Sequence, residues 1–120
     1  MPDVRRAPLA GLITDLRRFA KARDWDQFHS PKNLAAALSV EAGEVLEHFQ
    51  WLTEQQSREL PAKKRKEIAL ELADVLLYLL RLADQLDIDL LDAASRKIRI
   101  NAKKYPAHRA RGSAKKYTEL

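Results

Sequence analysis

Apolar residues recur at the three- and four-residue spacing of amphipathic helices in four stretches of the chain. The first predicted helix runs from about Leu9 to Arg23. The second begins at Pro31, because Ser30 offers an N-cap hydroxyl and proline is favoured at the first helical position. It is predicted to continue to about Leu52. The polar and aromatic segment between these two helices is therefore predicted to be a connection, with the sequence RDWDQFHSPKN.

The second half of the chain predicts two further helices and a tail. The third helix covers about Ala62 to Leu86, and Asp89 can cap the fourth. The fourth helix ends at Tyr105, because Pro106 cannot continue it. The polar remainder, residues 106–120, is predicted to be an irregular C-terminal tail. With no alternating strand pattern, the fold class is predicted to be all-α, and the architecture a four-helix bundle.

The third predicted helix is apolar around nearly its whole circumference, at Ile68, Leu70, Leu72, Leu76, Leu77, Leu79 and Leu80. A helix that is apolar on all sides has to be buried on all sides. A single bundle of 120 residues has difficulty burying one helix so completely. We therefore predict that the chain assembles as a homo-oligomer.

Two carboxylates of the second predicted helix lie unusually close to its apolar side. When the helix is drawn at about 100° per residue, Glu41 falls inside the apolar arc and Glu44 at its edge, whereas Glu47 faces solvent. An unpaired buried carboxylate costs several kcal/mol, so it should be neutralised or paired. The position of Glu41 therefore requires an explanation.

The third predicted helix repeats this pattern, with Glu71 and Asp74 in a narrow polar strip between leucines. Side chains three residues apart share one helix face. Two such helices packed together could aim four carboxylates into one cleft, where they would repel one another strongly. Oxygen ligands without His or Cys suit Mg²⁺ or Mn²⁺, and Mg²⁺ prefers to share its coordination shell with phosphates. A metal and phosphate site is thus one interpretation.

Two structural interpretations of the same carboxylates stay open at this point. Glu-x-x-Glu is common on solvated helix faces, so the pattern alone is weakly specific. Alternatively, Arg81 or the lysines of the fourth predicted helix could neutralise the carboxylates in a buried ion-pair network.

Composition narrows the classes of protein. With 46% hydrophobic and 32% charged residues, residues 1–120 are predicted to form a single domain. The absence of cysteine excludes disulfides and thiolate metal sites. No apolar run reaches the roughly 18 residues of a membrane span. The N-terminal arginines resemble a transit peptide, but Asp3 and Asp15 interrupt them, so a cytoplasmic location is expected.

The net charge of +5 raises a different possibility, a basic helical module that binds nucleic acid. The densest basic runs are KKRK at residues 63–66 and the C-terminal tail. The charge is otherwise scattered, which is equally typical of a solvated surface. This hypothesis also leaves the position of Glu41 unexplained, and a structural oligomer without a ligand ranks lower still.

Several stretches resemble one enzyme family, namely RDWDQFHSPKNLAAALSVEAGEVLEHFQW, ELADVLLYLL and KIRINAKKYPAHRARGSAKKYTEL. They are similar to the dCTP pyrophosphatases of the MazG-like all-α nucleotide pyrophosphohydrolases, and the similarity runs from about Phe19 to the C-terminus. The resemblance implies a homotetramer that hydrolyses a nucleoside triphosphate to the monophosphate and pyrophosphate with Mg²⁺. It leaves dUTP or another non-canonical dNTP open as the substrate.

The resemblance also implies roles for individual residues. The metal-binding and catalytic residues would be Glu41, Glu44, Glu71 and Asp74, and either Glu41 or Glu44 would accept a proton from the attacking water. The base pocket would use the segment from Trp25 to His29, together with Trp51 and Tyr78. On the fourth predicted helix, the residues implied in substrate binding are Lys97, Asn101, Lys104 and Tyr105.

Overall fold

The structure is a computed structural model that describes residues 6–120. Helices and their connections make up this part of the chain, which contains no β-strand. The helices are α1 (Arg6–Ala22), α2 (Pro31–Glu47), α3 (Glu54–Arg58), α4 (Ala62–Gln85), α5 (Leu90–Lys104) and α6 (Ala107–Ala110). None of the described helices is both long and apolar enough to cross a membrane. The all-α prediction is confirmed for residues 6–120.

The described residues fall into two compact units, which are divided between Asp87 and Ile88. In the first unit, α4 packs against both α1 and α2. Its buried apolar residues come from these three helices, and they are Ala20, Leu34, Ile68, Leu80 and Ala83. This packing sets the faces of α2 and α4 that carry the predicted carboxylates beside each other.

Helix α2 starts where the sequence predicts. The Ser30 hydroxyl accepts a hydrogen bond from the backbone N–H of Asn33 at 3.1 Å, and Pro31 is the first helical residue. The Asn33 amide in turn donates to the carbonyl of Phe28 at 2.9 Å. An N-cap of this kind stabilises a helix by about 1 kcal/mol. The predicted N-cap is confirmed, and it ties the preceding connection to the helix.

Helix α2 ends at Glu47, and the prediction that it continues to about Leu52 is wrong. The N–H groups of His48 and Phe49 bond to carbonyls three residues back, at 3.1 and 2.9 Å, so the helix tightens into turns. The apolar residues that follow keep a helical spacing in the sequence, which is why the prediction ran too far.

The short helix α3 was not predicted, although the sequence carries a start signal for it. The Thr53 hydroxyl accepts from the N–H of Gln56 at 3.1 Å, and the Gln56 side chain accepts from the N–H of Thr53 at 2.9 Å. This reciprocal pair is a capping box, the pattern Thr-x-x-Gln. The segment between α2 and α4 is therefore ordered by local hydrogen bonds.

The second unit contains α5 and the C-terminal tail. Asp89 caps α5 as predicted, since its side chain accepts from the N–H of Asp92 at 3.1 Å. The tail includes α6 and a 3₁₀ turn at Tyr117–Glu119. The ring of Tyr117 meets that of Tyr105 edge-on at 6.1 Å, and the ammonium of Lys104 lies 5.0 Å from its centre. These contacts hold the tail against the end of α5.

Candidate functional site

Three predicted carboxylates converge between α2 and α4. Glu41 and Glu44 lie one helical turn apart on α2, and Glu71 faces them from α4. One carboxylate oxygen from each residue lies within 4.8 Å of the other two. We call these three residues the acidic cluster. Asp74, the fourth predicted ligand, lies outside this group.

Two members of the acidic cluster, Glu41 and Glu71, have a pKa above that of an ordinary carboxyl group. Burial, followed by a hydrogen bond to Glu44, raises the pKa of Glu41 to about 7. A hydrogen bond to Glu44, followed by burial, also raises the pKa of Glu71. The negative charge of Asp74 acts in the same direction on both residues, whereas His48 opposes it at Glu71. The site is therefore a region of concentrated negative charge.

Two buried oxygen atoms of the acidic cluster lack a partner. The Oε2 atoms of Glu41 and Glu71 have no hydrogen bond within the described part of the chain. Within the described residues of the first unit, no lysine or arginine forms an ion pair with the cluster. Buried oxygen atoms of this kind are normally satisfied, so they mark a place for a ligand. The donor set, carboxylate oxygens alone, fits Mg²⁺ or Mn²⁺.

One of the two structural interpretations allowed Arg81 to neutralise the acidic cluster. In the structure Arg81 does not do so. Its guanidinium pairs with Asp26 and with Asp84, and its Nε donates to His29 at 3.1 Å. The positive charge of Arg81 is therefore already matched by other groups.

A pocket of about 200 Å³ adjoins the acidic cluster. Asp74 lines this pocket and also acts electrostatically on Glu41 and Glu71, so it connects the two features. The pocket wall is mainly apolar and aromatic, and its residues are Leu16, Phe19, Ala20, Trp25, His29, Asp74, Leu77, Tyr78 and Arg81. An apolar slot with a few polar groups is the common form of a small-molecule site.

The connection between α1 and α2 positions Trp25 in this pocket. Asp24 takes a left-handed conformation, with φ of 53°, directly after α1. The N–H of Asp24 bonds to the carbonyl of Lys21 at 3.1 Å, and that of Trp25 to the carbonyl of Ala20 at 2.9 Å. These two bonds are those of a Schellman motif. They turn the chain so that the ring of Trp25 packs edge-on against Phe19 at 5.5 Å.

The predicted substrate-binding residues fall into three groups. Trp25, His29 and Tyr78 line the pocket, as predicted for a base site. Trp51 is not among the described residues of its wall, and its side chain is 87% exposed. The remaining four belong to the second unit, namely Lys97, Asn101, Lys104 and Tyr105. The roles of all these residues in binding stay predictions.

A larger cavity of about 420 Å³ lies beside α3. Among its lining residues, Glu59 is the one carboxylate and Lys64 the one amine, and the rest are leucine, glutamine and proline. It brings together no group of carboxylates, so the chemistry of the site belongs to the smaller pocket.

Sequence reasoning missed the contribution of Arg81 to the pocket. It identified Arg81 only as a possible counter-charge, although an arginine within the apolar run YLLRLA is itself unusual. Only 6% of this residue is exposed, and a charge so deeply buried requires partners. The partners Asp26 and His29 lie more than 50 residues away in the chain, so spacing alone could not identify them.

Comparison with known proteins shows to which family the chain belongs. Over 114 residues the chain is 47% identical to dCTP pyrophosphatase 1 of Homo sapiens and 46% identical to that of Mus musculus, with 90% of this chain and 67% of each relative covered. A crystal structure of a pyrophosphatase from Archaeoglobus fulgidus matches with a TM-score of 0.77 and 41% identity, over 81% of this chain and 91% of that one. Residues 36–120 match the sequence model of the MazG-like family. The chain belongs to the MazG-like family.

Proposed function

We propose that this protein is a dCTP pyrophosphatase, which hydrolyses dCTP to dCMP and pyrophosphate and so removes dCTP or its modified forms from the nucleotide pool. The observation that carries the proposal is the acidic cluster beside an aromatic pocket, with two buried oxygens that have no partner among the described residues. The relatives named dCTP pyrophosphatase 1 support the choice of substrate. The lack of cysteine is compatible with a cytoplasmic location, which we retain as part of the proposal.

In this proposal, Glu41, Glu44, Glu71 and Asp74 hold Mg²⁺, and Mn²⁺ can replace it. When bound, the metal supplies positive charge to the phosphate oxygens and makes a coordinated water more acidic. Glu41 or Glu44 accepts the proton of the water that attacks the α-phosphorus. The bond from that phosphorus to the bridging oxygen breaks, and pyrophosphate leaves. The carboxylates therefore both position the reactants and take up the proton.

The aromatic pocket provides the base site in this proposal. Trp25 and Tyr78 offer ring faces and edges to a pyrimidine, and His29 offers a polar ring atom. Trp51 is exposed in the turns that follow α2 and can stack on the base once another element covers it. From the family resemblance alone, the proposal also includes Lys97, Asn101, Lys104 and Tyr105 as substrate-binding residues.

The proposal includes a single four-helix domain of residues 1–120 that assembles as a homotetramer. Apolar side chains of α2 and α4 support assembly, because they are exposed in the single chain. Leu70 is 72% exposed, and the others are Val40, Leu46, Leu72 and Leu76. Large exposed apolar surfaces of this kind mark interfaces between proteins.

A panel of nucleotides tests the proposed function. The purified protein is incubated with each canonical dNTP, with dUTP and with 5-methyl-dCTP, in Mg²⁺ and in excess chelator. We expect dCMP and pyrophosphate from dCTP in Mg²⁺ only. Preferential hydrolysis of dUTP would move the same chemistry to another base. Release of inorganic phosphate and dCDP, or no hydrolysis of any nucleotide, would contradict the proposal.

A further inference from the structure

Arg81 is the most deeply buried charged residue of the pocket wall. It projects from α4 and is 6% exposed. Its Nε donates to Nδ1 of His29 at 3.1 Å, and one terminal nitrogen donates to Asp26. The other terminal nitrogen lies 3.7 Å from a carboxylate oxygen of Asp84. Each of the three guanidinium nitrogens therefore already faces a protein partner.

The bond between Arg81 and His29 fixes where the imidazole carries its proton. An arginine side chain always carries hydrogen on Nε, so Nε can only donate. Nδ1 of His29 must then present a lone pair, and in a neutral ring the single proton lies on Nε2. Burial, followed by the charge of Arg81, lowers the pKa of His29, which keeps the ring neutral. Among the residues that the structure describes, Nε2 of His29 has no hydrogen-bond partner, and this atom is a donor.

The surroundings of Arg81 favour a positioning role over direct binding of phosphate. Asp84 is held in turn by Arg17, whose Nε donates to it at 2.8 Å. The guanidinium of Arg81 is therefore fixed between two carboxylates and an imidazole. All three guanidinium nitrogens already contact protein partners, so movement of the guanidinium toward a phosphate would break three contacts in the first unit.

We propose that Arg81 is a positioning residue that holds His29 as an Nε2–H donor, and that this donor reads the ring nitrogen N3 of cytosine. The proposal rests on the proposed function, because it assigns a base contact in the same pocket. His29 lines that pocket together with Trp25 and Tyr78. Cytosine carries a lone pair at N3, whereas uracil and thymine carry hydrogen there. A fixed donor can therefore form a hydrogen bond with N3 of cytosine. In uracil and thymine the same donor would face the N3–H group, which is another donor.

This arrangement makes selectivity depend on a tautomer rather than on pocket size. A site built around a hydrogen bond discriminates strongly against analogues that lack the matching group. If His29 could place its proton on Nδ1, Nε2 would become an acceptor and would suit the N3–H of uracil. The contact with Arg81 disfavours that tautomer, because two donors would then face each other.

Nitrogen-15 NMR of the histidine side chains tests the tautomer directly. The chain has three histidines, and the variant His29→Gln assigns the His29 signals by their loss. In the wild type near neutral pH we expect Nε2 to be protonated and Nδ1 to be bare. In Arg81→Met we expect both tautomers. A proton on Nδ1 of wild-type His29, or a charged ring, would overturn the proposal.

Substrate discrimination tests the reading of N3. We compare kcat/KM for dCTP with that for 3-deaza-dCTP, in which a carbon replaces N3. The wild type should prefer dCTP by about tenfold or more, and His29→Ala and Arg81→Met should lose most of this preference. Arg17→Met is the matched control, since it removes the other guanidinium that pairs with Asp84 but leaves His29 and Arg81 in contact. An equal preference in wild type and His29→Ala would overturn the assignment.

The two tests separate this proposal from the proposed function. If no nucleotide is hydrolysed, the proposed function fails, while the wild-type NMR measurement still decides the role of Arg81 in fixing the tautomer. If Arg81→Met does not fold, His29→Ala with the two nucleotides still decides whether N3 is read. If dCTP is hydrolysed and the tautomer is as expected, but 3-deaza-dCTP reacts equally well, only the base contact is overturned.

Discussion

Two groups of charged side chains lie at or beside the aromatic pocket, and they are organised in opposite ways. The acidic cluster of Glu41, Glu44 and Glu71 collects like charges and leaves two buried oxygens without partners among the described residues. The arginine network, which comprises Arg17, Asp26, His29, Arg81 and Asp84, alternates charges so that each carboxylate meets a guanidinium. The first group is incomplete without a ligand, and the second is complete within the chain.

This difference indicates that the acidic cluster is suited to binding a ligand and the arginine network to supporting the fold. A buried group of like charges destabilises the fold unless a cation or protons neutralise it, so its presence indicates a ligand. A paired network lowers its own energy and fixes the orientation of its members. The arginine network therefore orients the pocket wall, while in the proposed function the acidic cluster carries the chemistry.

The largest expected effect is the loss of turnover in Glu41→Gln. The substitution removes one negative oxygen from the acidic cluster and weakens the hold on the metal, which should lower kcat/KM for dCTP by about 100-fold or more. Glu47→Gln, on the exposed side of the same helix, is the matched control and should keep wild-type activity. Activity of Glu41→Gln within a fewfold of the wild type would remove the cluster from the mechanism.

Arg81→Met should produce the largest loss of stability. It leaves Asp26 and Asp84 without this partner, and breaking a buried pair costs several kcal/mol. Asp26 is about half exposed and recovers solvation, so we expect the free energy of unfolding to fall by about 2–3 kcal/mol. Urea denaturation measures this loss. An unchanged midpoint would mean that the arginine network does not support the fold.

The metal-free protein should lose stability as pH rises from about 4.5 to about 7. Glu41 has a pKa of about 7 in the folded chain, against an ordinary value of 4.5. In this window the unfolded chain releases the proton and the folded chain retains it, so unfolding becomes more favourable as pH rises. Thermal melts in chelator at several pH values test this, with Glu41→Gln as the comparison. If the melting temperatures of the wild type and of Glu41→Gln depend on pH in the same way, the raised pKa does not belong to Glu41.

The smallest effect should follow from Arg17→Met. Arg17 is mostly exposed, so solvent screens its pair with Asp84 and the pair should contribute much less to the free energy of unfolding than the buried pairs of Arg81 do. The hydrogen bond from Arg17 lowers the pKa of Asp84 below its ordinary 3.8. The contribution is therefore present above that ordinary value and is lost as pH falls through the lower, folded pKa. The free energies of unfolding of the wild type and of Arg17→Met should converge as pH is lowered. A difference between them that stays constant with pH would argue against the ion pair.

Local signals predicted much of the fold. Ser30, Pro31 and Asp89 each act through hydrogen bonds or backbone angles that involve their near neighbours, and the structure bears them out. The end of α2 was placed too late, because apolar spacing continues after the helix has tightened into turns. The capping box at Thr53 was visible in the sequence and was overlooked.

The site was predictable only in part, for a physical reason. Helical phase places Glu41 and Glu44 on one face, and it places Glu71 on the matching strip of α4. The contacts of Arg81 with Asp26 and His29 depend on how α4 packs against a connection more than 50 residues earlier, and helical spacing carries no information about that. The roles of Asp74 and of the residues in the second unit stay predictions.

Calorimetric titration of the protein with Mg²⁺ tests the central claim most directly. Without nucleotide, the wild type should bind Mg²⁺, Glu71→Gln should lose most of this binding, and the control Glu47→Gln, on the exposed side of α2, should keep it. Equal binding by wild type and Glu71→Gln, or no binding by the wild type, would contradict the account.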